Sequence, residues 1–263
     1  MREYKKYFTL SYDDGLEQDK QIIDLLKKYG IRATFNLNSG LFGSKEKIEY
    51  IGKIGYRCVD ESAPMKRGFI KTARSWRIPE DEIKQVYEGF ELATHSVTHP
   101  NLTKLPEKEL DYELRTDRER LQRYTDIPVV GHAYPSGATN SKVETVLKEN
   151  GFCYARTVMN TAGPIHRRFA FPDDPLRWDP TCWHINNNVE KLLDMFLNAT
   201  ANQGDMVFYM WGHGYELDFE TMKSKGFMTK FERMLDKVAC ADTVIKCTNA
   251  EAIKAHFGNC TLD

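Results

Sequence analysis

Several features that would assign a chain of this length to a familiar class are missing from the sequence. The formal net charge of the 263 residues is −1, so the chain lacks the basic excess of nucleic-acid-binding proteins and of polybasic membrane-binding segments. No apolar run is long enough to span a bilayer. We therefore expect neither nucleic acid nor a membrane among the partners, and the oligomeric state stays open.

The beginning of the chain lacks the apolar segment of a secretory signal. Residues 1–7 read MREYKKY and are mostly charged or aromatic, whereas a signal peptide needs a continuous apolar region. The sequence as written therefore predicts a cytoplasmic protein, with a leader removed before residue 1 as the alternative.

Cysteine motifs are also missing. The cysteines follow no CxxC pattern and no zinc-knuckle spacing, and they lie at positions 58, 153, 182, 240, 247 and 260. Scattered cysteines in a cytoplasmic chain are by default reduced thiols. A late bridge between Cys247 and Cys260 stays open at this point.

What the sequence does contain is an alternation of strand-like and helix-like stretches along its whole length. About seven β/α units follow one another without a linker or repeat, which predicts one α/β domain over residues 1–263. Between them, we expect a helix from Ser44 to about Ile54 and an irregular excursion over Tyr56–Trp76. A series of such units folds into a parallel sheet or a (β/α) barrel with its helices outside, and chemistry collects at the C-terminal strand ends.

Polar residues suited to chemistry follow four of the predicted strands. They are Asp13-Asp14, His95 and His99, the turn Tyr134-Pro135-Ser136-Gly137, and His213. Neighbouring residues on a strand face opposite sides, so Asp13 and Asp14 can divide two tasks, one binding a metal and one handling a proton. The alternative is a polar turn, because Asp-Asp-Gly is favourable turn chemistry.

The two histidines of the second group have a spacing suited to metal binding. On a helical turn, His95 and His99 would share one face, and a carboxylate from another strand end would complete a three-ligand set. Three protein ligands with one open position are typical of catalytic zinc, although Co²⁺, Ni²⁺ and Mn²⁺ fit the same ligands. The alternative is a pair of ordinary loop histidines. His213 is able to donate a proton near neutral pH, or is simply a hydrogen-bonded rim residue.

In combination, these motifs resemble those of a known family. Asp13-Asp14-Gly15, the His95–His99 segment, the turn at 134–137 and the stretch Phe208–His213 occur in the order and spacing of the polysaccharide deacetylases with the NodB homology domain, carbohydrate esterase family 4. The resemblance covers almost the whole chain. It implies a distorted (β/α) barrel and a metal-dependent hydrolase that removes N- or O-linked acetyl groups from a carbohydrate.

The resemblance also implies a role for individual residues. It makes Asp14, His95 and His99 the metal ligands, Asp13 the catalytic base and His213 the catalytic acid. It assigns oxyanion and substrate binding to Tyr134, Pro135, Ser136, Trp183 and Trp211. An acetylated glycan is the implied partner, and one divalent metal, most simply Zn²⁺, is the implied cofactor.

The sequence departs from the family pattern in two places. Ala133 stands where the third motif usually has an arginine that steadies the base, and Arg156 or Arg177 are the candidates to replace it. The fourth motif has only a loose match, in which Asp179 would support the site from outside the reacting groups. His184 is an additional imidazole in the same stretch, and an ordinary histidine in a surface loop is an equally good interpretation of it.

Two other functions remain as alternatives. One is a metal-free hydrolase of small cyclic amides on the same scaffold, against which the complete metal set weighs. The other is a catalytically dead glycan-binding protein, for which the missing arginine speaks. Trp76, Trp178 and Trp183 are candidates for stacking on sugar rings, and burial is the alternative for each.

Overall fold

A curled sheet of parallel strands forms the centre of the computed structural model, which describes residues 4–50, 56–60, 62, 71–217 and 227–258. The described strands, of which β3, β4 and β5 form a second sheet, are β1 (Lys6–Asp13), β2 (Thr34–Leu37), β3 (Lys45–Tyr50), β4 (Tyr56–Asp60), β5 (Lys71–Trp76), β6 (Glu91–Thr94), β7 (Gly131–Ala133), β8 (Tyr154–Arg156), β9 (Cys182–Trp183), β10 (Met206–His213) and β11 (Val244–Lys246). The order in the main sheet is β8-β7-β6-β2-β1-β10-β9, with β11 beside the first half of β1.

Helices cover the outer face of this sheet. They are α1 (Asp19–Tyr29), α2 (Ile83–Val86), α3 (Glu107–Asp111), α4 (Asp117–Leu121), α5 (Ser141–Glu149), α6 (Ile165–Arg168), α7 (Val189–Asn198), α8 (Phe227–Ala239) and α9 (Asn249–Phe257). A π-helical segment, Tyr112–Thr116, joins α3 to α4. Apolar residues of α1, α7 and α8 pack with those of β1 and β10 in the main hydrophobic core.

The two ends of the main sheet approach each other through residues 178–183. The Trp178 N–H donates to the carbonyl of Ala155 (2.9 Å), and the Thr157 N–H donates to the carbonyl of Trp178 (3.0 Å). A few residues later, β9 pairs with β10 at the other end of the sheet. The predicted distorted barrel of β/α units is therefore confirmed as a parallel sheet curled almost onto itself.

Alternate residues of β1 face opposite sides of the sheet. Those that face the helices are Phe8, Leu10 and Tyr12. Thr9 faces the interior of the curled sheet, where its hydroxyl donates to the side-chain oxygen of Asn249 (2.7 Å). Ser11 and Asp13 continue the Thr9 row because the side-chain period of a strand is two residues. Asp13 therefore ends β1 on the inner rim.

The region between β2 and β6 differs from the prediction. The expected helix from Ser44 to Ile54 is wrong, because Lys45–Tyr50 forms strand β3. This strand pairs on both sides, with β4 and β5, in a three-stranded antiparallel sheet, so Tyr56–Trp76 is not simply irregular. The segment KEKIEY consists mostly of charged residues and has few apolar ones. Its pairing with a strand on each side determines its conformation and outweighs the helix propensity of Lys and Glu.

Cysteine chemistry also differs from the prediction. Cys247 is a buried free thiol, so the bridge that was left open for it does not form. Cys153 is disulfide-bonded, which contradicts the expectation that the cysteines are all reduced. No helix in the described parts of the chain is both long and apolar enough to cross a membrane.

Candidate active site

The two strands beside β1, together with β8 at the end of the sheet, bring polar side chains to Asp13 at the end of β1. In the register of the sheet, Asp13 lies beside Asn36 of β2 and His213 of β10. The Asn36 amide donates to Asp13 Oδ1 (2.7 Å), and Nη2 of Arg156 donates to Asp13 Oδ2. The carboxylate is 2 % exposed, so its orientation is fixed by two donors in a site shielded from water.

Arg156 therefore occupies the role that the sequence left open at Ala133. It is the last residue of β8, is fully buried, and its guanidinium lies over the Trp211 ring, 4.5 Å from the centroid. Arg177, the other candidate, is exposed and pairs with Glu144 (2.8 Å). Of the two arginines, only Arg156 contacts Asp13.

Asp14, His95 and His99 form a cluster in which one ligand atom from each residue lies within 4.8 Å of the others. His95 Nδ1 donates to the carbonyl of Ala133 (2.7 Å), which leaves Nε2 facing Asp14 Oδ1 at 4.0 Å. Burial lowers the pKa of His95 to about 4, so its imidazole is neutral, as metal ligation requires. A carboxylate and two imidazoles in this arrangement fit a divalent cation.

The segment from His95 to His99 is not helical, so the reasoning from residues four apart on a helix was wrong in its geometry. Instead, buried carboxylates hold the loop. Asp117 of α4 accepts the His95 N–H (3.0 Å), and Glu113 of the π-helical segment accepts both the N–H and the hydroxyl of Thr98 (2.8 and 2.7 Å). The loop thereby turns both imidazoles towards Asp14.

Backbone strain is concentrated around this site. The non-glycine residues with positive φ within the described chain are Asp14 (79°), Ser96 (65°), His99 (58°) and Ser136 (55°). Such conformations cost about 1–3 kcal/mol each and persist where the surrounding structure enforces them. Two of the four are members of the Asp14–His95–His99 cluster, and the other two lie in the loops that border the cavity.

A buried arginine from outside the barrel reaches Asp14. Nη2 of Arg77 lies 3.4 Å from Asp14 Oδ1, and its Nη1 donates to Glu46 of β3 (3.2 Å). Burial alone would raise the pKa of Asp14, but Arg77 and the imidazoles of His213, His99 and His95 outweigh it. The pKa therefore lies well below its usual range, and Asp14 is ionised.

His213 is held by a buried glutamate three residues later. Glu216 lies in the 3₁₀ turn Gly214–Leu217, and its Oε1 is 2.9 Å from His213 Nδ1. Its Oε2 accepts from the Trp183 indole and lies 2.6 Å from His184 Nε2. Burial would lower the pKa of His213, but Glu216 and the two aspartates, Asp13 and Asp14, raise it to about 9.

The same pairing acts on Glu216. Burial would raise its pKa, but His213 and His184 lower it to about 2, so the side chain is a carboxylate. His184 is buried and binds Glu216, which contradicts its interpretation as a surface loop residue. The Nε2 of His213 is left free to face the reacting groups, 3.9 Å from Asp13 Oδ2.

A cavity of about 330 Å³ opens over these groups. Its lining within the described chain is Asp13, Asp14, Ile48, His95, His99, Tyr134, Ser136, Val158, Trp211, His213 and Tyr215. Pro135 is buried next to Tyr134 of this lining, and the Trp183 indole donates to Glu216, which also contacts His213. Asp179 is exposed and accepts a hydrogen bond from Thr157, the residue after Arg156, so it adjoins the site without lining the cavity.

The turn after β7 offers few free backbone donors. The Tyr134 N–H donates to the carbonyl of Arg156 (3.0 Å), and the Gly137 N–H donates to the carbonyl of Tyr134 (2.8 Å). Pro135 has no N–H. Within residues 134–137, Ser136 is therefore the residue whose N–H is available to an oxyanion.

Comparison with known proteins agrees with these motifs. The family model described as polysaccharide deacetylase matches residues 2–155, which is more than half of the chain. The chain belongs to the polysaccharide deacetylase family. The resemblance to the polysaccharide deacetylases of carbohydrate esterase family 4, expected from the sequence, is thereby confirmed.

Solved structures support the fold. A putative polysaccharide deacetylase from Mycobacterium smegmatis has 14 % identity and a TM-score of 0.58, with 97 % of this chain and 91 % of that chain covered. A family 4 carbohydrate esterase pseudoenzyme from Bacillus anthracis has 15 % identity and a TM-score of 0.52, with 96 % and 66 % covered. At these identities, the likeness shows the shared fold alone.

Other relatives are longer than the part that matches. The Streptococcus pyogenes deacetylase PplD, solved with acetate, has 18 % identity and a TM-score of 0.46, with 64 % of this chain and 61 % of that chain covered. The match thus spans less than two thirds of that relative. None of the curated proteins matches this deacetylase-family chain.

Three residues that contact the site were not found from the sequence. Glu216 had a usable signal, because it follows His213 by three residues, the spacing that brings side chains together in a 3₁₀ turn. Asn36 also had one, as an amide side chain between Phe35 and Leu37 in a short strand. Arg77 had none, since it reaches Asp14 only because β5 returns the chain to the loop after β1.

Proposed function

We propose that this chain is a metal-dependent hydrolase that removes acetyl groups from a carbohydrate, acting as one domain over residues 1–263. The observation that carries this proposal is the position of the Asp14–His95–His99 cluster in the same cavity as Asp13 and His213. The substrate is an acetylated glycan. The acetyl group is linked through nitrogen or through oxygen. Acetate release from N-acetylated and from O-acetylated glycans would distinguish the two.

Asp14, His95 and His99 would hold one divalent ion, most simply Zn²⁺, with Co²⁺, Ni²⁺ or Mn²⁺ as alternatives. When bound, such an ion polarises a carbonyl and lowers the pKa of water. The chain prepares the site by fixing the tautomer of His95 through the Ala133 carbonyl and by keeping Asp14 ionised. Contacts of this kind orient metal ligands before the ion arrives.

Asp13 is the proposed base. Arg156 donates to its Oδ2 and Asn36 donates to its Oδ1, and these two hydrogen bonds fix the plane of the carboxylate. The remaining lone pairs accept the proton of the water that attacks the acetyl carbon. Arg156 also places a positive charge directly beside this buried carboxylate.

His213 is the proposed acid. Glu216 keeps the imidazole protonated, and Nε2 points towards Asp13. As the bond from the acetyl carbon to the sugar nitrogen or oxygen breaks, Nε2–H gives its proton to the departing amine or alkoxide, and water has supplied the hydroxyl of the acetate. The Ser136 N–H stabilises the oxyanion formed between these steps. Trp211 and Tyr134 form part of the wall of the same cavity.

The two alternatives have less support. A metal-free hydrolase of cyclic amides would not need the cluster of Asp14, His95 and His99 that the chain forms. A dead glycan-binding protein was suggested by the arginine missing at Ala133, and Arg156 now contacts Asp13 in its place.

The test is acetate release from a panel of N-acetylated and O-acetylated glycans. We expect release by the protein loaded with Zn²⁺, loss after chelation, and recovery when Zn²⁺ is added back. Metal analysis should find about one ion per chain, and Asp14→Asn should lose both the ion and the activity. Full activity of the chelated protein would contradict the proposed metal, and the absence of release from every glycan would contradict deacetylation.

A further inference from the structure

A second cavity lies on the other side of Arg77 from the candidate metal cluster. Its volume is about 580 Å³, and its lining includes Lys45, Arg74, Trp76 and Arg77. Arg77 separates the two cavities, since the same side chain lies 3.4 Å from Asp14 Oδ1. Of the tryptophans that the sequence offered for sugar binding, Trp178 is buried and Trp183 is bound to Glu216. Trp76 lines an open groove.

Two cations are fixed on this tryptophan. In the antiparallel pair of β3 and β5, Lys45 lies directly opposite Trp76, and Arg74 precedes Trp76 by two residues on the same face. The Lys45 Nζ lies 4.9 Å and the Arg74 guanidinium carbon 5.0 Å from the centroid of the indole ring. The two charges are therefore within about 10 Å of each other, which is the screening length at about 0.1 M salt.

These cations have no counter-charge in the described part of the chain. Neither Lys45 nor Arg74 forms an ion pair there, although the groove also contains carboxylates. Glu17 and Glu82 are both paired with Lys20, at 2.9 and 2.7 Å. Like charges held together without a partner repel each other, so an anionic group between them would be attracted.

From this arrangement we propose that the groove binds an acidic sugar, one bearing a carboxylate or sulfate, of the same glycan that is deacetylated. This rests on the proposed function. The groove supplies cations for the anionic group, an indole for the sugar ring, and the side-chain amide of Gln21 for its hydroxyls. Because Arg77 lines the groove and also contacts Asp14, neighbouring sugars of one glycan would occupy the two cavities.

The test compares three probes by isothermal titration against the full chain loaded with Zn²⁺. They are a neutral acetylated oligosaccharide, the same oligosaccharide carrying carboxylates or sulfates, and sodium sulfate alone. We expect the acidic oligosaccharide to bind about tenfold more tightly than the neutral one at low salt, as two exposed charge contacts allow. The preference should shrink as salt is added.

The variant Lys45→Glu/Arg74→Glu should abolish this preference for the acidic oligosaccharide over the neutral one. Both side chains are exposed, so the double substitution is compatible with folding. The control Arg123→Glu/Lys148→Glu makes the same change of charge at exposed positions beyond α4 and on α5. It should retain the preference.

Equal binding of both oligosaccharides, a preference that survives in the double variant, or sodium sulfate binding as tightly as the acidic oligosaccharide would each overturn the proposal. The last result would mean a site for free anions. Acetate release is measured on the same probes. Release without preference contradicts the groove and leaves deacetylation standing, whereas a preference lost in the variant without any release supports the groove and contradicts deacetylation.

Discussion

Replacement of Glu216 by glutamine tests whether this residue sets the charge of His213. Glu216 is fully buried and contacts both the N–H and the Nδ1 of His213 at 2.9 Å. Glutamine keeps the shape but removes the negative charge. Since Glu216 is the strongest influence that raises the pKa of His213 to about 9, the pKa in the variant should fall to its ordinary value of about 6.5 or lower.

The size of the effect follows from the protonated fraction of the acid. A group with a pKa of about 9 is ~90 % protonated at about pH 8, whereas one with a pKa of about 6.5 is ~3 % protonated. A general acid works only when protonated, so activity is lost as pH rises through its pKa. We expect Glu216→Gln to reduce kcat about 30-fold at about pH 8 and by less than about twofold at about pH 6.

The assay is the pH profile of acetate release, with two variants for comparison. Glu216→Asp retains the charge, so its alkaline limb should stay near that of the unmodified protein even where a shifted imidazole lowers kcat. Glu232→Gln removes a half-buried glutamate that pairs with Lys28 and should leave the pH profile unchanged. An alkaline limb that does not move in Glu216→Gln would refute the role of Glu216. Circular dichroism confirms that each variant is folded.

Two further substitutions separate positioning from stability. Arg156→Lys keeps the charge but loses the planar fork that orients Asp13, so kcat should fall about 100-fold, whereas Arg177→Lys should leave it unchanged; equal effects would contradict the assignment. Burial raises the pKa of Asp19 to about 8, above its unfolded value, so folding loses stability as pH rises from about 4 to about 8. Asp19→Asn should remove this slope, and a difference in Tm that is constant with pH would contradict it.

The convergence of the polar groups on one cavity was predictable because they lie in short local patterns. Asp13 and Asp14 are adjacent, His95 and His99 are four residues apart, and each group follows a strand whose end faces the same rim. The order of parallel strands then brings them together without any knowledge of loops. His213 was found in the same way, since β10 is a strongly apolar strand.

The supporting groups were less predictable because their contacts depend on tertiary structure. Arg156 reaches Asp13 only because the sheet curls, which brings the end of β8 over the cavity. Arg77 depends on β3–β5, where a central strand of mostly charged residues gives no apolar period to recognise. The loop from His95 to His99 takes its shape from Glu113 and Asp117, which lie more than a dozen residues later.

The pairing of β1 with β10 also determines when the site is completed during synthesis. Asp13 lies beside His213, 200 residues further along the chain. At about 5–20 residues per second, a ribosome needs about 10–40 seconds to make that interval. During this time, β1 and its aspartates have no β10 to cover their edge, and Asp14, His95 and His99 are all made before His213. The candidate site is thus among the last parts of the molecule to form, although its first residues are among the earliest to emerge.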